Sequence, residues 1–193
     1  TPTNTLQASR LASRSLSAAT INTNTPNNLL SSNAGVFNNS GWVKGPVLNN
    51  GQLNILGSSS RISGPISGTG EVNIAGAFKQ ESSISNSVIN VNNGGAFTTS
   101  APLTATTALN INTGGSVMAL SDITAPINIL SGGYLASSGN RNINGDVRND
   151  GALALLSPTD KLFVNGNYSQ TAAGQITTVI ASTSQYGKVE SNQ

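Results

Sequence analysis

The sequence predicts an all-β chain wound as a parallel β-solenoid of about seven coils, behind an irregular or short helical N-terminal cap. The first observation is a motif repeated in SVINVNNGGAF, ALNINTGGSVMA and PINILSGGYLA, between Ser87 and Ala136. Each copy alternates apolar and polar residues, turns at Gly-Gly and resumes with an apolar residue, the signature of strands with one buried face. The second is recurrence. Glycines at 51, 70, 95, 115, 133, 151 and 174 follow one another at 19, 25, 20, 18, 18 and 23 residues, a spacing typical of repeat architectures. The third is alignment. Two residues after these glycines stand Leu53, Val72, Phe97, Val117, Leu135, Leu153 and Ile176, and four before stand Val47, Ile66, Val91, Ile111, Ile129, Val147 and Gln170.

Taken in order, residues 1–39 carry no such period and read as an N-terminal cap or flexible leader. Leu6, Leu11 and Leu16 with Arg10 and Arg14 fit a short helix covering the open end of a stack, which a solenoid requires. A Ser-rich leader fits the same text. Residues 40–193 read as the solenoid. Asn-Asn-Ser-Gly at 38–41 and Asn-Asn-Gly at 49–51 are turn signals. Glycine and Asn tolerate the tight corners of such coils. Asn90, Asn92, Asn110, Asn112 and Asn128 alternate with the apolar residues and should face outward or form amide ladders. Rungs at the ordinary strand spacing make seven coils a rod of roughly 35 Å. The 25- and 23-residue intervals predict longer loops, with segments 78–85 and 155–164 as candidates, and loops are where specific contacts gather.

Composition excludes several functions. Charged residues are 8% of the chain, against about 25% ordinarily. There is no Cys and no His, which removes disulfides, thiolate or imidazole metal sites, and the usual partner bases of a nucleophile. A net charge of +2 from nine basic and seven acidic residues is too weak and dispersed for a nucleic-acid footprint. No apolar run approaches a membrane span. No cofactor is expected. The chain opens and closes abruptly, and is expected to be a piece of something longer.

Residues 144–189, NGDVRNDGALALLSPTDKLFVNGNYSQTAAGQITTVIASTSQYGKV, resemble the last β-helical coils of bacterial autotransporter passengers. The resemblance rests on Asn144-Gly145, Asn149-Asp150-Gly151, Val164-Asn165-Gly166-Asn167-Tyr168 with Gln170, Gly174, and Tyr186-Gly187-Lys188-Val189. The stretch Leu155-Leu156-Ser157-Pro158-Thr159 departs from the Pro-Gly turn frequent there. Filamentous haemagglutinin-like adhesins share much of the pattern. The resemblance implies a right-handed parallel β-helix, secretion through an outer-membrane translocation pore, attachment at the cell surface, and an autochaperone-like role for the coils from about 144.

The expected function is therefore a non-enzymatic, secreted surface stem that presents binding loops to host or neighbouring cells. Its partners would be surface glycans or proteins, with self-association in addition. The rival is a polysaccharide-binding or polysaccharide-processing β-helix. For binding, Trp42, Phe78, Tyr134 and Phe163 are the candidate contact surface. For processing, Asp146, Arg148 and Asp150 are the candidate charged site: two acids as calcium ligands around an arginine base. Sugar hydrolysis needs two carboxyls converging within roughly 5–10 Å, and calcium wants six or more oxygens. With seven acids in the chain, a solvated charge triad beside a turn is the competing reading.

Overall fold

A computed structural model describes residues 15–16, 20–23, 32–58 and 60–192. Every regular element among them is a β-strand. All strand pairs are parallel, and they build a β-solenoid of about eight turns, close to the expected seven.

Each full turn has three faces. The first holds Val36–Asn39, Gln52–Ile55, Glu71–Ile74, residues 88–91 and 108–111, Ile127–Ile129, Val147–Asn149 and Tyr168–Gln170. The second holds Ala77–Lys79, Ala96–Thr99, Ser116–Ala119, Tyr134–Ser137, Ala152–Leu155 and Gln175–Thr177. Two earlier strands, Trp42–Val43 and Arg61–Ile62, pair with each other, and a bridge from Ser60 to Phe78 aligns them with this face. The third face runs through Val47–Asn49, Ile66–Ser67, residues 84–86 and 103–105, Ile123–Thr124, Asn140–Ile143, Lys161–Val164 and Lys188–Ser191.

Alternation on each strand sends one residue in two to the interior. The first face contributes Phe37, Leu53, Val72, Ile89, Leu109, Ile127 and Val147 in one column, and Ile55, Ile74, Val91, Ile111 and Ile129 in the next. All twelve are at most 1% exposed. The second face adds Phe78, Phe97, Val117, Leu135 and Leu153, with the Phe78 and Phe97 rings stacked at 5.7 Å. The third adds Val47, Ile66, Ile84, Leu103, Ile123, Ile143 and Val164. β-Branched side chains pack well on a pleated surface, and each fully buried one stabilises by about 1.5–3 kcal/mol.

The columns differ from the sequence reading at Gly51, Gly70 and Gly151: Val47 and Ile66 stack with Ile84 on the third face, not with Val91 on the first. Leu53 and Val72 stack on Phe37 and Ile89, not beneath Phe97. Glycines mark two of the corners, one of them only in some turns. Gly35, Gly51 and Gly70 line one, where Gln52 N donates to Gly35 O at 2.8 Å and Glu71 N to Gly51 O at 2.8 Å. Gly76, Gly95, Gly115, Gly133, Gly151 and Gly174 line the other. At both, an added Cβ would strike a carbonyl of the preceding turn: 2.2 Å from Gly51 O at Gly70, and 2.3 Å from Ile74 O at Gly95. The 25-residue interval from Gly70 to Gly95 crosses from one corner to the other. Segment 78–85 therefore carries no added loop, and Lys79 and Ile84 align directly with Thr98 and Leu103.

The second corner is built in two sizes. Four-residue corners close with Gly95 N to Asn92 O, Gly115 N to Asn112 O and Gly133 N to Leu130 O at 2.7–2.8 Å. Two-residue corners use Asn-x-Gly: Gly41 N donates to Asn39 Oδ1 at 3.1 Å, and Gly151 N to Asn149 Oδ1 at 3.2 Å. The short corner at Gly151 puts Asn149 rather than Val147 above Ile129.

Added length occurs near the C-terminus. Residues 156–160 form a turn between Leu155 and Lys161, within the expected segment 155–164. Residues 178–187 form the longer loop, which returns so that Gly187 packs on Leu155. At the other end, the expected boundary at residue 40 does not fall at an edge of the stack. Val36–Asn39 and Ser32–Asn33 are strands of its faces, and Thr20–Thr23 and Ser15–Leu16 pair with them. Of the expected helical cap, Leu6 to Ala19, Ser15–Leu16 is a strand and the other residues lie outside the described ones.

Candidate binding surfaces

The four aromatic residues do not form one surface. Phe78 is 2% exposed and stacked inside on Phe97, which corrects its placement on a contact patch. The Ser60–Phe78 bridge extends its column, so alternation turns Phe78 inward with Phe97. Tyr134 faces out from the second face at 38% exposure. Phe163 is half-buried on the third face, paired with Asn142 and Glu190. Trp42 is half-buried near the N-terminal end of the second face. Its ring carries Lys44 Nζ at 4.3 Å and Arg61 Cζ at 4.6 Å from the centroid. Its Nε1 donates to Ser63 Oγ at 3.4 Å. Such cation–ring contacts stabilise by about 0.5–1 kcal/mol where exposed. They also occupy the ring surface on which a neutral sugar would stack.

The charged trio spans the strand Val147–Asn149, with Arg148 and Asp150 paired to each other and Asp146 engaged with the next turn. Arg148 Nε pairs with Asp150 Oδ2 at 3.0 Å while its side chain stays 62% exposed, a geometry worth about 0–1 kcal/mol. Asp146 is exposed, and its Oδ1 accepts the backbone N–H of Asn167 in the next turn at 2.8 Å. Among the described residues no three acids gather to hold a metal.

The outward residues of the first face form a ladder of amides. Asn54 donates to Asn38, Asn73 to Asn54, Asn90 to Asn73, Asn110 to Asn90 and Asn128 to Asn110, at 2.7–3.1 Å. Asn112 donates to Asn92 at 2.7 Å at the corner, and a shorter ladder links Asn144, Asn165 and Asn192. Repetition at strand spacing brings each amide within reach of the next.

Polar residues also enter the interior, where sequence reading expected none. Asn33, Asn39, Asn49, Asn86, Asn149, Gln80, Thr99, Ser137 and Asp160 are at most 3% exposed. Buried polar groups need partners, and most have them. Asn33 Nδ2 donates to Asn49 Oδ1 at 2.7 Å, and Asn149 Nδ2 to Gln175 O at 3.0 Å. Asp160 accepts the N–H groups of Gly139 at 2.8 Å and Leu156 at 3.1 Å, and so pins the 156–160 turn. Asn-x-Gly was the legible signal for Asn39 and Asn149; Asp160 had none.

The last rung ends the columns with groups that tolerate water. Above Val147 and Asn149 lie Tyr168 and Gln170, with Tyr168 OH donating to Gln170 Oε1 at 2.8 Å. Burial pushes the Tyr168 hydroxyl above its ordinary pKa, partly offset by its hydrogen bond from Asn149. Ile176 ends the second-face column at 40% exposure, and Val179, Ile180 and Tyr186 in the loop that follows are also exposed.

No family profile, no curated protein and no solved structure matches this chain.

Proposed function

We propose that the chain is the non-enzymatic stem of a secreted surface adhesin or autotransporter passenger. In this reading it extends from the cell and presents loops to host or neighbouring cells. The supporting observation is that the three-faced stack runs unbroken from the strand at Ser32 to the strand at Ser191, with its outward amides bound to the next rung. A rod of repeating rungs transmits length and offers side surfaces, and neither task needs a reaction centre. The sequence likeness of residues 144–189 to terminal passenger coils supplies the secretion route, passage through an outer-membrane pore.

The test is labelling of intact cells of the producing organism with an antibody against residues 40–193. Signal on intact cells that external protease removes is the expected result. Signal only after lysis would contradict the reading. The autochaperone-like role of the last coils is tested by deleting residues after Gly151. Refolding of the remainder should slow well beyond the loss of mass, and an unchanged rate would remove that role. The polysaccharide-processing rival predicts uronate release from pectin-like polymers that vanishes in Arg148→Ala.

A further inference from the structure

We infer that the N-terminal end of the second face binds a linear acidic polysaccharide, through cations carried on three consecutive rungs. Trp42 pairs in register with Arg61, and the bridge from Ser60 to Phe78 places Lys79 on the rung after Arg61. Trp42, Arg61 and Lys79 thus form one outward column, and Lys44 lies two residues along the first rung. Charge is scarce elsewhere on this side of the stack: residues 82–121 contain none. Among the described residues only Glu81 pairs with the cluster, holding Arg61 Nε at 2.6 Å. It fixes that guanidinium and leaves Lys44 and Lys79, both exposed, in no ion pair among the described residues. A shallow depression of about 440 Å³ lies beside Arg61, Lys79 and Glu81.

The geometry selects the ligand class. Lys44 and Lys79 stand two rungs apart, roughly 10 Å along the axis at strand spacing. An extended acidic polysaccharide carries its charges at intervals of one or two sugar units, on the same scale. The Trp42 ring holds Lys44 and Arg61 against it and so fixes two cations of adjacent rungs side by side. Duplex nucleic acid presents one charge per about 1.7 Å, far denser than three cations and a carboxylate match. Carboxylated and sulfated sugars share the chemistry recognised here.

This inference rests on the adhesive part of the proposed function, and its test is separate. The full chain is titrated calorimetrically with polygalacturonate, dextran sulfate, uncharged dextran and duplex DNA at one ionic strength. Binding to at least one acidic polymer, none to dextran and weaker binding to DNA is expected; the two acidic arms assign carboxylate or sulfate. The double variant K44Q/K79Q should lose at least ten-fold in affinity. K161Q/K188Q removes the same charge from two other stacked cations and should stay within two-fold. Circular dichroism confirms that each variant is folded. No binding to either acidic polymer, equal loss in both double variants, or DNA binding as tight as polysaccharide binding would overturn the inference. None of these results alters whether the chain is displayed on intact cells.

Discussion

Gly94 and Gly95 are adjacent and identical in sequence, but the structure assigns them different tasks. Gly94 has φ +79°, and a Cβ there would meet nothing nearer than Ala75 O at 3.6 Å. Gly94→Ala should cost only the left-handed backbone, about 1–2 kcal/mol. At Gly95 a Cβ would sit 2.3 Å from Ile74 O and 2.9 Å from Asn92 O. Contact distance for such a pair is about 3.4 Å, so the preceding turn must retreat by about 1 Å. That carbonyl already accepts Asn92 N at 2.8 Å, and Asn92 O accepts Gly95 N at 2.8 Å. Overpacking with strain on two backbone hydrogen bonds puts Gly95→Ala at about 3 kcal/mol or more. Urea unfolding followed by circular dichroism measures both. A Gly95→Ala loss no larger than that of Gly94→Ala would refute the close passage of turns at this corner.

Two further outcomes follow from the interior. Ile111→Ala, between Val91 and Ile129 at 0% exposure, should lose about 2–5 kcal/mol, whereas Ile176→Ala at the last rung should lose under about 1 kcal/mol; equal losses in urea would contradict the columns. Tyr168 has a folded pKa above its unfolded value near 10, so its burial stabilises the fold in full below pH 10 and is lost as pH rises through the folded pKa. Stability should therefore fall with rising pH above 10, and the fall should shrink in Tyr168→Phe.

Much of this architecture was legible because a solenoid writes its rungs periodically. Val91, Ile111 and Ile129, and Phe97, Val117, Leu135, Leu153 and Ile176, are columns in the structure as the repeats predicted. The amides that alternate with them stack as ladders. What failed to read out has two physical causes. First, at both corners a glycine stands where the turns pass too closely for a Cβ, so a glycine marks a corner without saying which; this misplaced Val47, Leu53, Ile66 and Val72. Second, alternation sorts apolar from polar, yet corners bury polar residues that serve the backbone, as Asn39, Asn149 and Asp160 do. Phe78 was misplaced outward by the first error, since its rung was assigned to a loop. The column of Trp42, Arg61 and Lys79 was hidden because its members lie 18 and 19 residues apart in coils of unequal length.

The register of turns is tested most directly with introduced cysteines, since the chain has none of its own. The structure sets Asn73 beside Asn90, their side chains hydrogen-bonded at 2.9 Å, and sets Thr98 on another face. Neighbouring strands lie within the Cα separation a disulfide spans. Under mild oxidation N73C/N90C should form an intramolecular disulfide, seen as a mobility shift reversed by reductant, and N73C/T98C should not. A disulfide in N73C/T98C with none in N73C/N90C would contradict the stacking of turns described for this chain.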